Sequence, residues 1–112
     1  MRKKNKYAFY KNKRTRFHPS IEVDSDERVW KNLEMTSSPI KSGRYIRLQK
    51  NPSGSEKPAY VRKYLRIDSI KTRGQLLKKY HLSEEDLLEI EKFLIENKKT
   101  LAQSLLNLGF IG

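Results

Sequence analysis

The chain of 112 residues has no cysteine. That absence excludes disulfide staples, thiolate zinc sites and cysteine nucleophiles together, and it fits a reducing compartment or one indifferent to redox. Glycine is sparse, with five residues at 43, 54, 74, 109 and 112. None stands in the spacing of a dinucleotide or P-loop motif, so ATP-dependent and dinucleotide-dependent enzymes drop out. There are two histidines, His18 and His81, and neither has a carboxylate or a second histidine at ligand spacing, so no metal and no cofactor is expected. No run approaches the roughly 18 apolar residues of a membrane span. The apolar stretch at residues 7–10 is far too short for a signal-peptide core. A cytoplasmic protein without a membrane partner is expected. Nothing marks a nucleophile elbow, and the length leaves no room for a two-domain enzyme.

Positive charge is abundant: 25 Lys and Arg oppose 13 Asp and Glu, a net charge of +12. Its distribution is uneven. Residues 1–16 hold eight basic and no acidic side chains, residues 17–81 hold fourteen and seven, and residues 82–112 hold three and six. A basic body with an acidic C-terminal segment implies a polyanion-binding surface and a separate element with another task, and nucleic acid is the leading partner class. Within residues 1–16 the cations interleave with Tyr7, Phe9 and Tyr10, side chains that can pair phosphates and stack on bases. Such a like-charged run buries too little apolar surface to order alone, so residues 1–16 are read as a basic, solvated tail.

From residue 17 to 81, short extended runs separated by turn residues predict a small β domain. Ile21 and Val23 alternate with Glu22 and Asp24, and the cluster Asp24-Ser25-Asp26-Glu27 supplies a turn into Val29, Trp30, Leu33 and Met35. Further strand signals sit at Tyr45-Ile46, at Ala59-Tyr60-Val61 and around Leu65-Arg66-Ile67. Residues 51–58, NPSGSEKP, form a loop. Trp30 is read as core. Ser83 followed by Glu84, Glu85 and Asp86 marks a helix N-terminus. Leu87, Ile90, Leu94, Leu101, Leu105 and Leu108 then recur at helical spacing, with Phe93 and Ile95 widening the stripe. The polar run 97–100 predicts a split into helices at about 83–97 and 100–108, the second closed by Gly109. The fold class is mainly β with a C-terminal helix, one domain over residues 17–112.

The chemistry left open needs no cofactor: cleavage of RNA by its own 2′-hydroxyl, with a protein base or acid and cations around the phosphoryl oxygens. Histidine ionises near working pH, so His18 is the candidate for proton transfer, with Arg16 stabilising phosphate. Thr36 and Ser37 can donate to the scissile phosphate, although hydroxyls before Pro39 also make ordinary turn bonds. Arg62 and Arg66, four apart, would share one face of a regular strand and form a cationic ladder for the backbone, joined by Lys63, Arg44 and Arg47. Asp68 is expected to pair with a basic neighbour or cap a turn.

From about Arg16 onward the chain resembles the MazF/PemK (Kid-like) family of toxin ribonucleases from bacterial toxin–antitoxin pairs. Phe17-His18-Pro19-Ser20-Ile21-Glu22-Val23 is similar to the family's early Arg-Pro strand, and Glu34-Met35-Thr36-Ser37-Ser38-Pro39 to the strand end that carries a functional Thr or Ser. Leu65-Arg66-Ile67-Asp68 is similar to its late Arg-Thr-Ile-Asp stretch, followed by a Leu-Ser-Glu-Glu helix start at Leu82 to Glu85. The resemblance implies a small SH3-like barrel with a packed C-terminal helix, a homodimer, metal-independent endoribonuclease activity on single-stranded RNA, and neutralisation by an acidic antitoxin. Three departures are visible. His18 stands where the family usually has Arg, Arg62 and Lys63 stand where several members carry an acid or Gln, and the basic tail takes the place of an apolar first strand. The alternative is a catalytically inactive nucleic-acid-binding accessory protein of a mobile element or phage.

Overall fold

In the computed structural model, which describes residues 7–107, the alternating runs become antiparallel strands. They are β1 (Phe9–Asn12), β2 (His18–Ser25), β3 (Val29–Thr36), β4 (Tyr45–Arg47), β5 (Tyr60–Arg62), β6 (Arg66–Ser69) and β7 (Arg73–Leu76), followed by one helix, α1 (Glu84–Asn107). The seven strands form a sheet in the order β4-β5-β3-β2-β1-β7, with β6 also paired to β3. Among the described residues β4 and β7 do not pair, so the sheet stays open. β3 serves two partners in succession: residues 29–32 pair with β6, and Met35 and Thr36 pair with β5.

The β2–β3 hairpin turns on the predicted polar cluster. Asp26 Oδ1 accepts from the amides of Val29 (2.9 Å) and Arg28 (2.7 Å), and these bonds hold the Asp26 carboxyl below its ordinary pKa. The start of the sheet corrects the sequence reading. Residues 9–12, expected in a solvated tail, form β1, which pairs with β2 from Phe9↔Ile21 to Asn12↔His18 and with β7 on its other side. Phe9 and Asn12 are buried. Lys11, the one cation of the strand, is exposed between buried Phe9 and Asn12, and a test based on net charge misses a strand of this kind. Gly74 lets β7 approach β1, because a Cβ there would lie 2.7 Å from the Lys11 carbonyl oxygen.

Paired residues share a sheet face, and the two faces differ sharply. On one, Phe9, Ile21, Leu33, Met35 and Val61 make the hydrophobic core with Ile46, Leu48 and Ala59, and α1 covers it through Ile90, Phe93 and Leu94. Fully burying a side chain such as Ile90 stabilises by roughly 1.5–3 kcal/mol, which is why the helix docks despite its polar exposed side. Ile95, expected in the stripe, is exposed. The side chains of Leu101 and Leu105, expected to continue it, and the whole of Leu108 and Gly109 lie outside what the structure describes. The expected break at 97–100 is absent. α1 runs through it, since no glycine or proline interrupts residues 84–107, and Thr100 Oγ1 donates to the Glu96 carbonyl at 3.0 Å.

Asp86 joins the start of the helix to a neighbouring loop. Ser83 Oγ accepts from the Asp86 amide, while the buried Asp86 carboxylate accepts from the amides of Gln49 (2.8 Å) and Lys50 (3.3 Å), tying the start of the 49–58 loop to the helix. Asp86→Ala is expected to cost about 2 kcal/mol, because two amides lose a charged acceptor. In urea titration the midpoint falls and the slope is unchanged.

Candidate functional site

The second sheet face is polar and closed over. Asn12, Ser20 and Asn32 are fully buried and Asp68 is nearly so. Asn12 Nδ2 donates to Asn32 Oδ1 (3.1 Å), Ser20 Oγ (3.3 Å) and Asp68 Oδ2 (3.4 Å), and Asn32 Nδ2 donates to Asp68 Oδ2 at 3.0 Å. Arg66 closes the network with two bonds to Asp68, Nε to Oδ2 and Nη2 to Oδ1, both 3.0 Å. Burial works to raise the Asp68 pKa, but the bonds from Arg66 and Asn32, the Arg66 charge and the bond from Asn12 outweigh it and hold the carboxyl below its ordinary value. Bonding to Asp68 likewise raises the Arg66 pKa against its own burial, helped by the charges of Asp68 and Glu34. Trp30 seals this face rather than the main core. Its Nε1 donates to Thr72 Oγ1 at 3.0 Å and Tyr10 stacks edge-on at 6.0 Å, while Arg73 lies over Tyr10 and pairs with Glu22. Every buried side-chain nitrogen and oxygen among the described residues has a partner.

His18 stands at the rim of this face. Its Nδ1 lies 3.5 Å from Glu34 Oε2, with the His18 side chain 49% exposed and Glu34 19%. Register explains the meeting: Ser20 pairs with Glu34, so His18, two residues earlier, lies on the same face beside Glu34 and towards Thr36. The contact is on the Nδ1 side of the ring, so Nε2 is the nitrogen turned away from Glu34. Asn12 anchors the connection that delivers His18. Its Oδ1 accepts from the Arg14 amide (2.9 Å), and its carbonyl accepts from Thr15 Oγ1 (3.3 Å) and the Phe17 amide (2.8 Å). Arg16 and Phe17 are both held in the left-handed region, at φ 56° and 65°, a strain of order 1–3 kcal/mol each in side chains that are both exposed.

A groove of about 390 Å³ opens beside His18. Thr36 and Ser37 line it, with Asn51, Ser53, Ser55 and Lys57 from the facing loop and Tyr80 beyond. Thr36 Oγ1 accepts from the Ser38 amide at 3.1 Å, the expected turn bond, and its own proton stays free to donate. The sequence-selected residues therefore meet in part: His18, Thr36 and Ser37 converge, and Arg16, Arg62 and Arg66 do not line the groove. Arg66 is committed to Asp68. The cationic ladder fails because Arg62 and Arg66 belong to two strands, β5 and β6, that pair with different ends of β3. Arg62 lies over Tyr64 at 5.9 Å. Arg44 and Lys63 flank a cleft against α1 with Glu89 and Glu96, and Arg47 lies over Tyr60 at 5.8 Å beside the 49–58 loop. Sequence alone does not single out Glu34 or Lys57. For Glu34 the signal existed, since the hairpin centred on the 24–27 turn sets its register near His18; for Lys57, on an irregular loop, none did.

Among the described residues no group of three or more His, Asp or Glu side chains is placed to hold a metal ion, and no helix is long and apolar enough to cross a membrane. Fold and site together define a basic, open antiparallel-sheet protein with a His–carboxylate pair at the mouth of a polar groove. Comparison with protein-family models, curated proteins and solved structures finds no match.

Proposed function

We propose that this protein binds single-stranded RNA and cleaves it without a metal ion, using the RNA's own 2′-hydroxyl. The observation that carries the reading is the pairing of His18 with Glu34 beside a groove that also holds Thr36, Ser37 and Lys57. His18 Nε2 takes the 2′-hydroxyl proton, the 2′-oxygen attacks the adjacent phosphorus, and the bond to the 5′-oxygen breaks. The proton passes to that departing oxygen, leaving a 2′,3′-cyclic phosphate and a 5′-hydroxyl. Lys57 and the hydroxyls of Thr36 and Ser37 offset the charge that builds on the phosphoryl oxygens. Glu34 is a positioning residue. Arg66 is committed to Asp68, and Arg16 is left with no part in the chemistry.

The resemblance to the MazF/PemK toxins supports this reading at Thr36 and the Arg66-Ile67-Asp68 stretch, and it departs at His18, which stands where the family usually has Arg. On it the sheet is an opened relative of the SH3-like barrel, with β3 as the strand that turns the corner between β6 and β5. It also carries toxicity on expression, relief by an acidic partner protein, and a homodimer. A second reading, an inactive nucleic-acid-binding module, is favoured by one fact: among the described residues Lys57 is the only Lys or Arg lining the groove.

Incubation of the pure protein with single-stranded RNA in EDTA separates the two. Cleavage is expected to persist in EDTA and to stop when the ribose at the cut site lacks its 2′-hydroxyl. Binding without products at high protein concentration supports the inactive module, and the absence of both discards RNA as the partner.

A further inference from the structure

A second cleft, of about 700 Å³, lies on the other side of the 49–58 loop from His18. Arg47, Lys50 and Lys57 line it against a single acid, Glu56. The two clefts share Asn51, Ser55 and Lys57, so the loop forms a ridge between them with Lys57 common to both. The loop is braced. Leu48 donates its amide to the Ala59 carbonyl (2.9 Å) across its base, Asn51 Nδ2 donates to the Lys57 carbonyl (3.0 Å), and Asn51 Oδ1 accepts from the Ser53 amide (2.9 Å) and hydroxyl (2.7 Å). Asp86 fixes its first amides to α1, and Pro52, buried, accepts from the His81 amide at 3.1 Å. A braced loop loses little further freedom when a ligand arrives.

From this we propose a backbone-binding subsite in the second cleft for the RNA that flanks the cut, an inference that rests on the reading of His18 as the cleavage site. The strand leaves the His18 groove across Lys57 and lays the neighbouring phosphates against Lys50 and Arg47. Tyr60, beneath the Arg47 guanidinium, holds that cation in place. Charge complementarity selects a polyanion, since three cations face one carboxylate, and the cleft's continuity with the groove selects the same strand that is cut. The arrangement also answers the shortage of cations around His18: attraction is supplied next to the chemistry, and the scissile phosphate needs only Lys57 and hydroxyl donors.

The test uses an RNA of about fifteen nucleotides carrying 2′-O-methyl groups, which binds without being cut, so it reads the subsite whether or not the protein is a nuclease. Fluorescence anisotropy is measured across a salt series for the intact protein, for Arg47→Ala/Lys50→Ala, and for Arg28→Ala/Lys71→Ala, an equal loss of exposed charge at the opposite end of β3. The first variant is expected to weaken binding at least tenfold and to reduce the slope of log K against log salt by roughly 1.4, the single-strand increment for two lost phosphate contacts. The second is expected to bind like the intact protein. Equal weakening in both variants reduces the effect to net charge and overturns the subsite, as does unchanged binding in the first. With an uncut dinucleotide carrying the same 2′-O-methyl block, too short to cross the ridge, the Arg47→Ala/Lys50→Ala variant should match the intact protein, and a loss there overturns the proposal as well.

Discussion

Replacing His18 with alanine is expected to lower the rate of RNA cleavage in EDTA by about 10²–10⁴-fold, the usual worth of a positioned acid or base. Binding of an uncleavable RNA should change little, because the phosphate-facing cations are elsewhere. The side chain is half exposed, with Glu34 as its only ionic partner among the described residues, so its loss should move stability by no more than about 0.5 kcal/mol and the fall in rate cannot be assigned to unfolding. Glu34→Gln is the sharper companion. It keeps the size and a polar contact to Nδ1 but removes the charge, so kcat falls by less than in His18→Ala while KM stays constant. A Glu34 with a purely structural role would leave kcat where it was. An unchanged cleavage rate in His18→Ala places the chemistry outside this groove.

His18, Thr36 and Ser37 were legible because local rules place them. A hairpin with a polar turn fixes the register of β2 against β3, and its open end, with His18 on β2 and Thr36 on β3, falls in the groove. The strands with clear alternation, and the helix with its serine cap and acidic first turn, were legible for the same reason. What failed was long-range. Arg62 and Arg66 look like neighbours on one strand in a linear reading, but the chain bends at residues 63–65 and each cation finds a different part of β3. β1 was hidden by its charge: Lys11 says tail, whereas Phe9 and Asn12, flanking it, are the residues that bury. The polar face was the least readable feature. Asn12, Ser20, Asn32 and Asp68 look like surface residues one at a time, and only their convergence from four segments lets each satisfy the others away from water.

That convergence yields the largest expected change in stability. Asp68→Ala should destabilise the protein by about 3–5 kcal/mol at neutral pH, since a partly buried Arg66 guanidinium loses its counter-charge and the amides of Asn12 and Asn32 lose an acceptor together. In thermal unfolding this reads as a fall in Tm of about 10–20 °C. Acid supplies an independent check. The folded Asp68 carboxyl lies below its ordinary value, about 3.9 in an unfolded chain, so its stabilising share is complete above that pH and is lost as the pH falls through the folded value. The gap in stability between the intact protein and Asp68→Asn should therefore be wide at pH 7 and close progressively below about pH 4. The same pair decides what Arg66 does. As an anchor for Asp68, Arg66→Ala lowers stability and leaves the salt slope of RNA binding where it was. As a backbone contact it would reduce that slope by roughly 0.7 with little change in Tm. The two bonds of 3.0 Å to Asp68, on a carboxylate with two further amide donors, give the guanidinium its partner inside the fold, and the first outcome is the one expected.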